Sequence, residues 1–299
     1  MIPACFSEYR SKILVLNEAA EWSLLRKWTL SEVYRIKLAG GESRIIKWGS
    51  SEMAEEAGIY RDLVQPLQIK APRISEFVQL ENSGVMVMED VGEHNVEQQP
   101  HPAYFLEAAK ELARLRTRAA SLLERTLSPE TVEAYSVSAE DFLKLLNDLL
   151  NSEQLAGNEG LSRLAKTLPN ALEKLYRTVP NSIVHHDYHA KNLVIQENGI
   201  TPIDWANAYL SPHLGDLYCL MKEAHARSQA TRSELLSAYL EASDLHASDL
   251  RWQLPIGGIC WLVKTLHWLV YGGTDIIPGS EAWIPDLVQD VEYLYAEII

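Results

Sequence analysis

The sequence predicts an α+β fold in two lobes: a small β-rich lobe, then a larger and mostly helical one. Three observations carry this. Up to about residue 91, apolar residues alternate between turn signals; beyond it they recur at helical spacing; and one β-hairpin pattern is embedded in that helical part. A chain of 299 residues suits one large domain or two lobes sharing a cleft. The boundary is expected near Val91 to Gln98, giving lobes of residues 1–91 and 92–299.

Element by element, "SEVYRIKL" alternates as a strand, Gly40-Gly41 supplies a hairpin turn, and "SRIIKWG" returns. "SEMAEEAGIYRDLVQPL" follows as a helix. Ser51 or a neighbour is its expected N-cap, acidic residues fill its first turn, and Pro66 stops it. "RISEFVQLENSGVMVMEDV" reads as two strands joined at Asn82-Ser83-Gly84. In "PAYFLEAAKELARLRTRAASLLERTL", Leu112, Leu115, Ala119 and Leu122 mark a helix. "SAEDFLKLLNDLL" opens with a capping box, Ser138 to Asp141, and "LSRLAKTLPNALEKLYRTV" continues as helix. "SIVHHD" and "NLVIQENGITPIDW" are strand-like, the latter turning at Asn198-Gly199, and the remainder is mostly helix.

Composition excludes several classes. With 47% hydrophobic and 23% charged residues the chain can bury a substantial core. A net charge of −14 argues against nucleic-acid backbones as partners and favours, weakly, a cationic small substrate. Cys5, Cys219 and Cys260 are odd in number and far apart, which points to a reducing, cytoplasmic setting. No signal-peptide pattern opens the sequence, and Lys264 and His267 interrupt the apolar run Pro255 to Gly273, so a buried helix is expected there rather than a membrane span.

The stretch "IVHHDYHAKNLVI" packs three histidines and an aspartate into residues 185–189. His185 and His189 have helical i, i+4 spacing, but the β-branched "SIV" before them argues against a helix, and no glutamate follows the first histidine, so zinc is disfavoured. Asp187 is followed five positions later by Asn192, then a hairpin, then Asp204. One carboxylate to orient and deprotonate a hydroxyl, with an amide oxygen and a second carboxylate for Mg²⁺, is the set that phosphoryl transfer requires.

"VHHDYHAKN" and "PIDWANAYLSPHLGDLYCL" together resemble the aminoglycoside phosphotransferase and choline-kinase-like family, small-molecule kinases with a bilobal protein-kinase-like fold. His185, Asp187, His189 and Asn192 match the family's catalytic loop, and Ile203, Asp204 and Trp205 its metal segment. His186 stands where glycine is usual, Lys191 replaces the common glycine before Asn192, and Ala206 stands where many members are acidic. The resemblance implies Asp187 as base, Asn192 and Asp204 as Mg²⁺ ligands, and His189 either near the γ-phosphate or packing the loop. It implies His185 and Asp216 as structural supports; His186 and Lys191 are expected to be exposed, with Lys191 near the phosphate path.

A template of this kind also demands a strand lysine and a helix glutamate, met by Lys47 and Glu56. Met88 falls at the gatekeeper position, and the carbonyl of Glu89 and the amide of Val91 fall where adenine binds. Ser31 lies in "WTLSEVYRI", a phosphate-covering segment without glycine. The implied activity is transfer of the γ-phosphoryl of ATP, or of GTP, to a small-molecule hydroxyl. The acceptor is expected against Trp252, Trp261, Trp268, Tyr271 and Trp283, read as core before aromatic cage, with Asp275, Glu281 and Asp286 as candidates for an amino group. A catalytically retired kinase fold with a binding or spore-coat-like role is the alternative.

Overall fold

The structure is a computed structural model that describes residues 2–28, 31–50 and 55–298. The chain begins with a 3₁₀ turn (Ala4–Tyr9) and the short α1 (Val15–Glu18). A five-stranded antiparallel sheet follows, built from β1 (Ala19–Lys27), β2 (Ser31–Leu38), β3 (Ser43–Ser50), β4 (Ile74–Gln79) and β5 (Ser83–Glu89), in the order β1-β2-β3-β5-β4. The helix expected after β3 is α2 (Glu56–Ile59), continued by a π turn (Tyr60–Val64). The cap expected at Ser51 or a neighbour lies outside the described residues.

Strand alternation decides what each face of the sheet buries. Ile36, Ile46, Val85 and Val87 point to one side, where Phe6, Tyr9, Ile13 and Leu16 of the N-terminal segment cover them. Met86 and Met88 point to the other, against Ala57 of α2. Lys47 follows Ile46 and pairs in register with Met86, so it shares the α2 side and faces the cleft.

The helical part holds α3 (Pro102–Thr126), α4 (Pro129–Tyr135), α5 (Ala139–Asn151) and α6 (Glu159–Thr178). The short strand β6 (Ser182–Val184) comes next, then the hairpin β7 (Leu193–Gln196) and β8 (Gly199–Pro202), and β9 (Tyr209–Ser211), which pairs with β6. Helices α7 (Gly215–Arg227), α8 (Arg232–Glu241), α9 (Ala247–Trp268), α10 (Thr274–Ile276) and α11 (Ile284–Ile298) complete the chain. Both hydrogen bonds of the Ser138/Asp141 capping box form. One continuous apolar core runs through α3, α5, α6, α7, α9 and α11. The apolar run at Pro255 lies within α9, which packs on α5, α7 and α11; the span Ala247–Ile276 is long and apolar enough to cross a membrane, yet 61% of its most apolar window is buried inside the protein.

Several elements differ from expectation. β1 was not anticipated, because "AAEWSLLRK" is almost wholly exposed and carries no alternation. β9 is three residues long, too short for a pattern. Ser83 and Gly84 belong to β5 rather than to the turn before it, and Gly199 opens β8.

Candidate active site

The loop after β6 is shaped by bonds to its backbone. Asp216, in the first turn of α7 and 1% exposed, accepts the amides of His185 at 2.7 Å and His186 at 2.8 Å. Trp261 Nε1 on α9 donates to the His186 carbonyl at 2.8 Å. Between these bonds His186 adopts φ +68°, the left-handed region that glycine enters most easily. His186 was expected to be exposed. Its ring is instead half-buried between Tyr209 and Trp261, with centroids at 5.7 and 6.1 Å.

His185 is fully buried. Its Nδ1 accepts the Asp187 amide at 3.3 Å, so Nε2 carries the proton and donates to the Ile203 carbonyl at 3.0 Å. Burial lowers its pKa despite the nearby carboxylates of Asp216, Asp187 and Asp204, and the ring is neutral. Both nitrogens are thus engaged by backbone, which leaves no lone pair for zinc. Among the described residues no three His, Cys, Asp or Glu side chains gather as a metal site.

Asp187 is half-buried, and its Oδ2 accepts from Asn207 Nδ2 at 3.2 Å. A short 3₁₀ turn (Ala190–Asn192) brings Asn192 back beneath it, and Asn192 Nδ2 donates to the Asp187 carbonyl at 3.1 Å. Among the described residues the Asn192 amide oxygen accepts no hydrogen bond, and it and the Asp204 carboxylate are hard oxygen donors of the kind Mg²⁺ takes. The Ile203 amide bonds to the Asn192 carbonyl at 2.9 Å, which ties the two candidate ligand segments together. Asp204 itself sits at φ +65°.

Two cations converge on Asp204. Lys47 Nζ lies 2.7 Å from Oδ1, and Arg26 of β1 lies 3.4 Å from Oδ2. Lys47 also pairs with Glu56 Oε2 in a buried contact. Burial pushes the Asp204 carboxyl up, but Lys47 and then Arg26 override it and bring it down to about 2. Glu56 goes the other way: burial, with the Asp204 charge added, outweighs Lys47 and lifts it to about 7. The buried Glu56 Oε1 has no partner among the described residues, so one lysine serves two carboxylates. Burial also works to lower the Lys47 pKa, but Asp204 and Glu56 together raise it.

Met88 is buried near the end of β5, Glu89 is exposed, and the Val91 carbonyl accepts from Gln196 Nε2 at 3.0 Å. Ser31 opens β2, and its carbonyl accepts the Trp28 amide at 2.8 Å to close the β1–β2 turn. Thr29 and Leu30 lie outside the described residues. His189 is half-buried, and its amide bonds to the Asp187 carbonyl at 2.9 Å. Lys191 is exposed and pairs with Glu97 at 3.8 Å.

The aromatic set divides. Trp252 and Trp261 are half-buried against the core, and Lys174 Nζ sits 4.0 Å over the Trp252 ring. Trp268, Tyr271 and Trp283 are exposed, which corrects the core reading for those three. Tyr271 stacks on His267 at 4.6 Å. Asp275, Glu281 and Asp286 are exposed surface charges. Sequence reasoning did not single out Asn207 or Arg26. Asn207 could have been found from its place three residues after Asp204; Arg26 carried no signal, since its strand was not visible.

A model described as the phosphotransferase enzyme family matches residues 30–252. Among solved structures, the chain is similar to a thermostable mutant of aminoglycoside phosphotransferase APH(4)-Ia in ternary complex with AMP-PNP and hygromycin B. Identity is 12%, 98% of this chain and 99% of that one are covered, and the TM-score is 0.59. Choline kinase LicA from Streptococcus pneumoniae is 15% identical over 97% and 98% of the two chains, with a TM-score of 0.64. Amicoumacin kinase hAmiN, in complex with AMP-PNP, Ca²⁺ and Ami, is 14% identical over 91% and 88%, with a TM-score of 0.57. At these identities the likeness shows the fold, which is protein-kinase-like and α+β. No curated protein sequence matches the chain.

Proposed function

The chain belongs to the phosphotransferase enzyme family, and we propose that it transfers the γ-phosphoryl group of ATP, with GTP as an alternative donor, to a hydroxyl of a small molecule. The observation that supports this reading most is the convergence of Lys47, Asp187, Asn192 and Asp204, from two sequence-distant segments, on one cleft.

In this reading residues 1–91 form a nucleotide-binding lobe and residues 92–299 carry catalysis and acceptor binding. Adenine lies against Met88, the Glu89 carbonyl and the Val91 amide, with Ser31 over the phosphates. Lys47, steadied by Glu56, holds the phosphates. Asn192 and Asp204 hold Mg²⁺, which neutralises phosphate charge when bound. Asp187, oriented by Asn207, takes the proton of the acceptor hydroxyl as the new O–P bond forms and the bond from Pγ to the β–γ bridging oxygen breaks, releasing ADP. His189 stands beside the transferred group or packs the loop, and His185 and Asp216 hold the loop's shape.

The test is MgATP binding by calorimetry, wild type against Asp204→Ala. Binding is expected in the wild type and loss of at least about tenfold in affinity in the variant. A wild type that does not bind MgATP sinks the reading and leaves a retired kinase fold.

A further inference from the structure

Lys264 is the unexplained charge beside this site. It lies on α9 one helical turn after Trp261, so the two share a face, and the Trp261 indole holds the carbonyl of His186, the residue before Asp187. Its Nζ sits 5.2 Å from the ring centroid of Tyr209, two residues beyond Asn207, which holds the Asp187 carboxylate. Both flanks of Asp187 therefore lead to this one ammonium. Lys264 is half-buried, and burial alone lowers its pKa; no carboxylate among the described residues acts on it to raise it. In the same wall the buried His186 Nδ1 has no hydrogen-bond partner among the described residues.

An ammonium withdrawn from water beside a reaction centre is expensive unless something anionic meets it. The groups that meet it among the described residues are uncharged: the Tyr209 ring and the His186 and His213 imidazoles. Among the described residues no carboxylate forms an ion pair with it, and Asp148 is paired with His267 at 3.5 Å, one turn further along α9.

We propose that the phosphoryl acceptor is a small hydroxy acid whose carboxylate is bound by Lys264 while its hydroxyl faces Asp187. This rests on the phosphotransferase reading above. It runs against the chain's net acidity: the overall charge of −14 favours cations at long range, but the acceptor wall presents a cation of its own.

The test uses matched probes with MgATP: glycerate against glycerol, homoserine against homoserinol, and gluconate against glucose, with ADP release as the readout and melting temperature as a second. The acid of a pair is expected to win by about tenfold or more in kcat/KM, the scale of one charge-assisted hydrogen bond. Lys264→Met is expected to raise KM for the acid by a similar factor and erase the preference, the change falling on the acid rather than on ATP; Lys264→Arg is expected to keep the preference. If MgATP binds but only neutral or amino acceptors are turned over, or if Lys264→Met leaves the acid's KM unmoved, the inference is overturned and the kinase reading stands. If MgATP does not bind, the kinase reading falls and the acceptor role falls with it, and the acids decide the carboxylate site alone: a rise in melting temperature in wild type but not in Lys264→Met supports binding at Lys264, and no rise in wild type overturns it.

Discussion

Lys47 Nζ and Asp204 Oδ1 meet at 2.7 Å across a separation of 157 residues, joining the sheet to the segment that follows the hairpin. The bond puts the cation proposed to hold the phosphates and a candidate metal ligand in one charged cluster with Glu56.

Removing the lysine exposes that coupling. Lys47→Met leaves the carboxylate of Glu56, 1% exposed, without its partner, and is expected to destabilise the fold by about 3 kcal/mol. Adding Glu56→Gln removes the orphaned charge and should recover most of that loss in urea unfolding. Turnover should stay at least about a hundredfold down in both proteins, since neither restores a cation at the phosphates. Equal instability of the single and double variants would contradict the shared-charge account.

Asp187→Asn is expected to keep MgATP affinity and to lower kcat by about 10² to 10⁴, the span of general-base contributions. Asn207→Ala acts through Asp187 and should lower kcat by about tenfold with little change in KM for ATP. A kcat for Asp187→Asn equal to wild type would remove it from the chemistry.

Acid sensitivity should begin well above the carboxylate range. His185, His186 and His213 are neutral by burial, each with a pKa below the ordinary 6.5. Unfolding lets them bind protons, so their contribution to stability is present above pH 6.5 and is lost as pH falls below it. Each proton costs about 1.4 kcal/mol per pH unit. Glu56 opposes this, since its pKa of about 7 against an ordinary 4.5 favours the fold on acidification between those values. Asp216, raised by burial, opposes it as well; three histidines against two carboxyls leave net proton uptake as the expected sign on unfolding near pH 6, with the melting temperature falling as pH drops. Calorimetry in two buffers of different ionisation enthalpy measures the uptake directly, and a net release would be the wrong sign.

Gly257 tests how α9 supports the loop from a distance. A Cβ there would meet the backbone of Leu214, at 2.5 Å from its nitrogen and 2.7 Å from its carbonyl carbon. Backbone cannot rotate aside, so Gly257→Ala should cost about 2 kcal/mol or more. It should also lower turnover, because Leu214 adjoins the first turn of α7, which carries Asp216. A variant with wild-type stability would show that α9 can shift freely.

The parts of the site that sequence made legible are those written in local pattern. Lys47 alternates with Ile46 on a strand, Glu56 opens the next helix, and Asp187 and Asn192 are fixed by a short loop that feeds a hairpin. Arg26 and Lys264 were not legible as site residues. Arg26 sits on a strand with no alternation, and Lys264 looked like an interruption in an apolar helix; each is placed by contacts that span most of the chain. His186 was misread as exposed because its left-handed backbone, which turns the ring inward, is imposed from outside by Asp216 and Trp261.

The grip of Asp216 is on peptide amides, not on the side chains the loop displays. The bend at His185 and His186 is therefore held by contacts that do not involve the side chains at positions 187 and 189. A backbone mount of this kind separates what shapes the bend from what the loop displays, so side chains at this site can diverge among descendants of the chain while the bend is inherited.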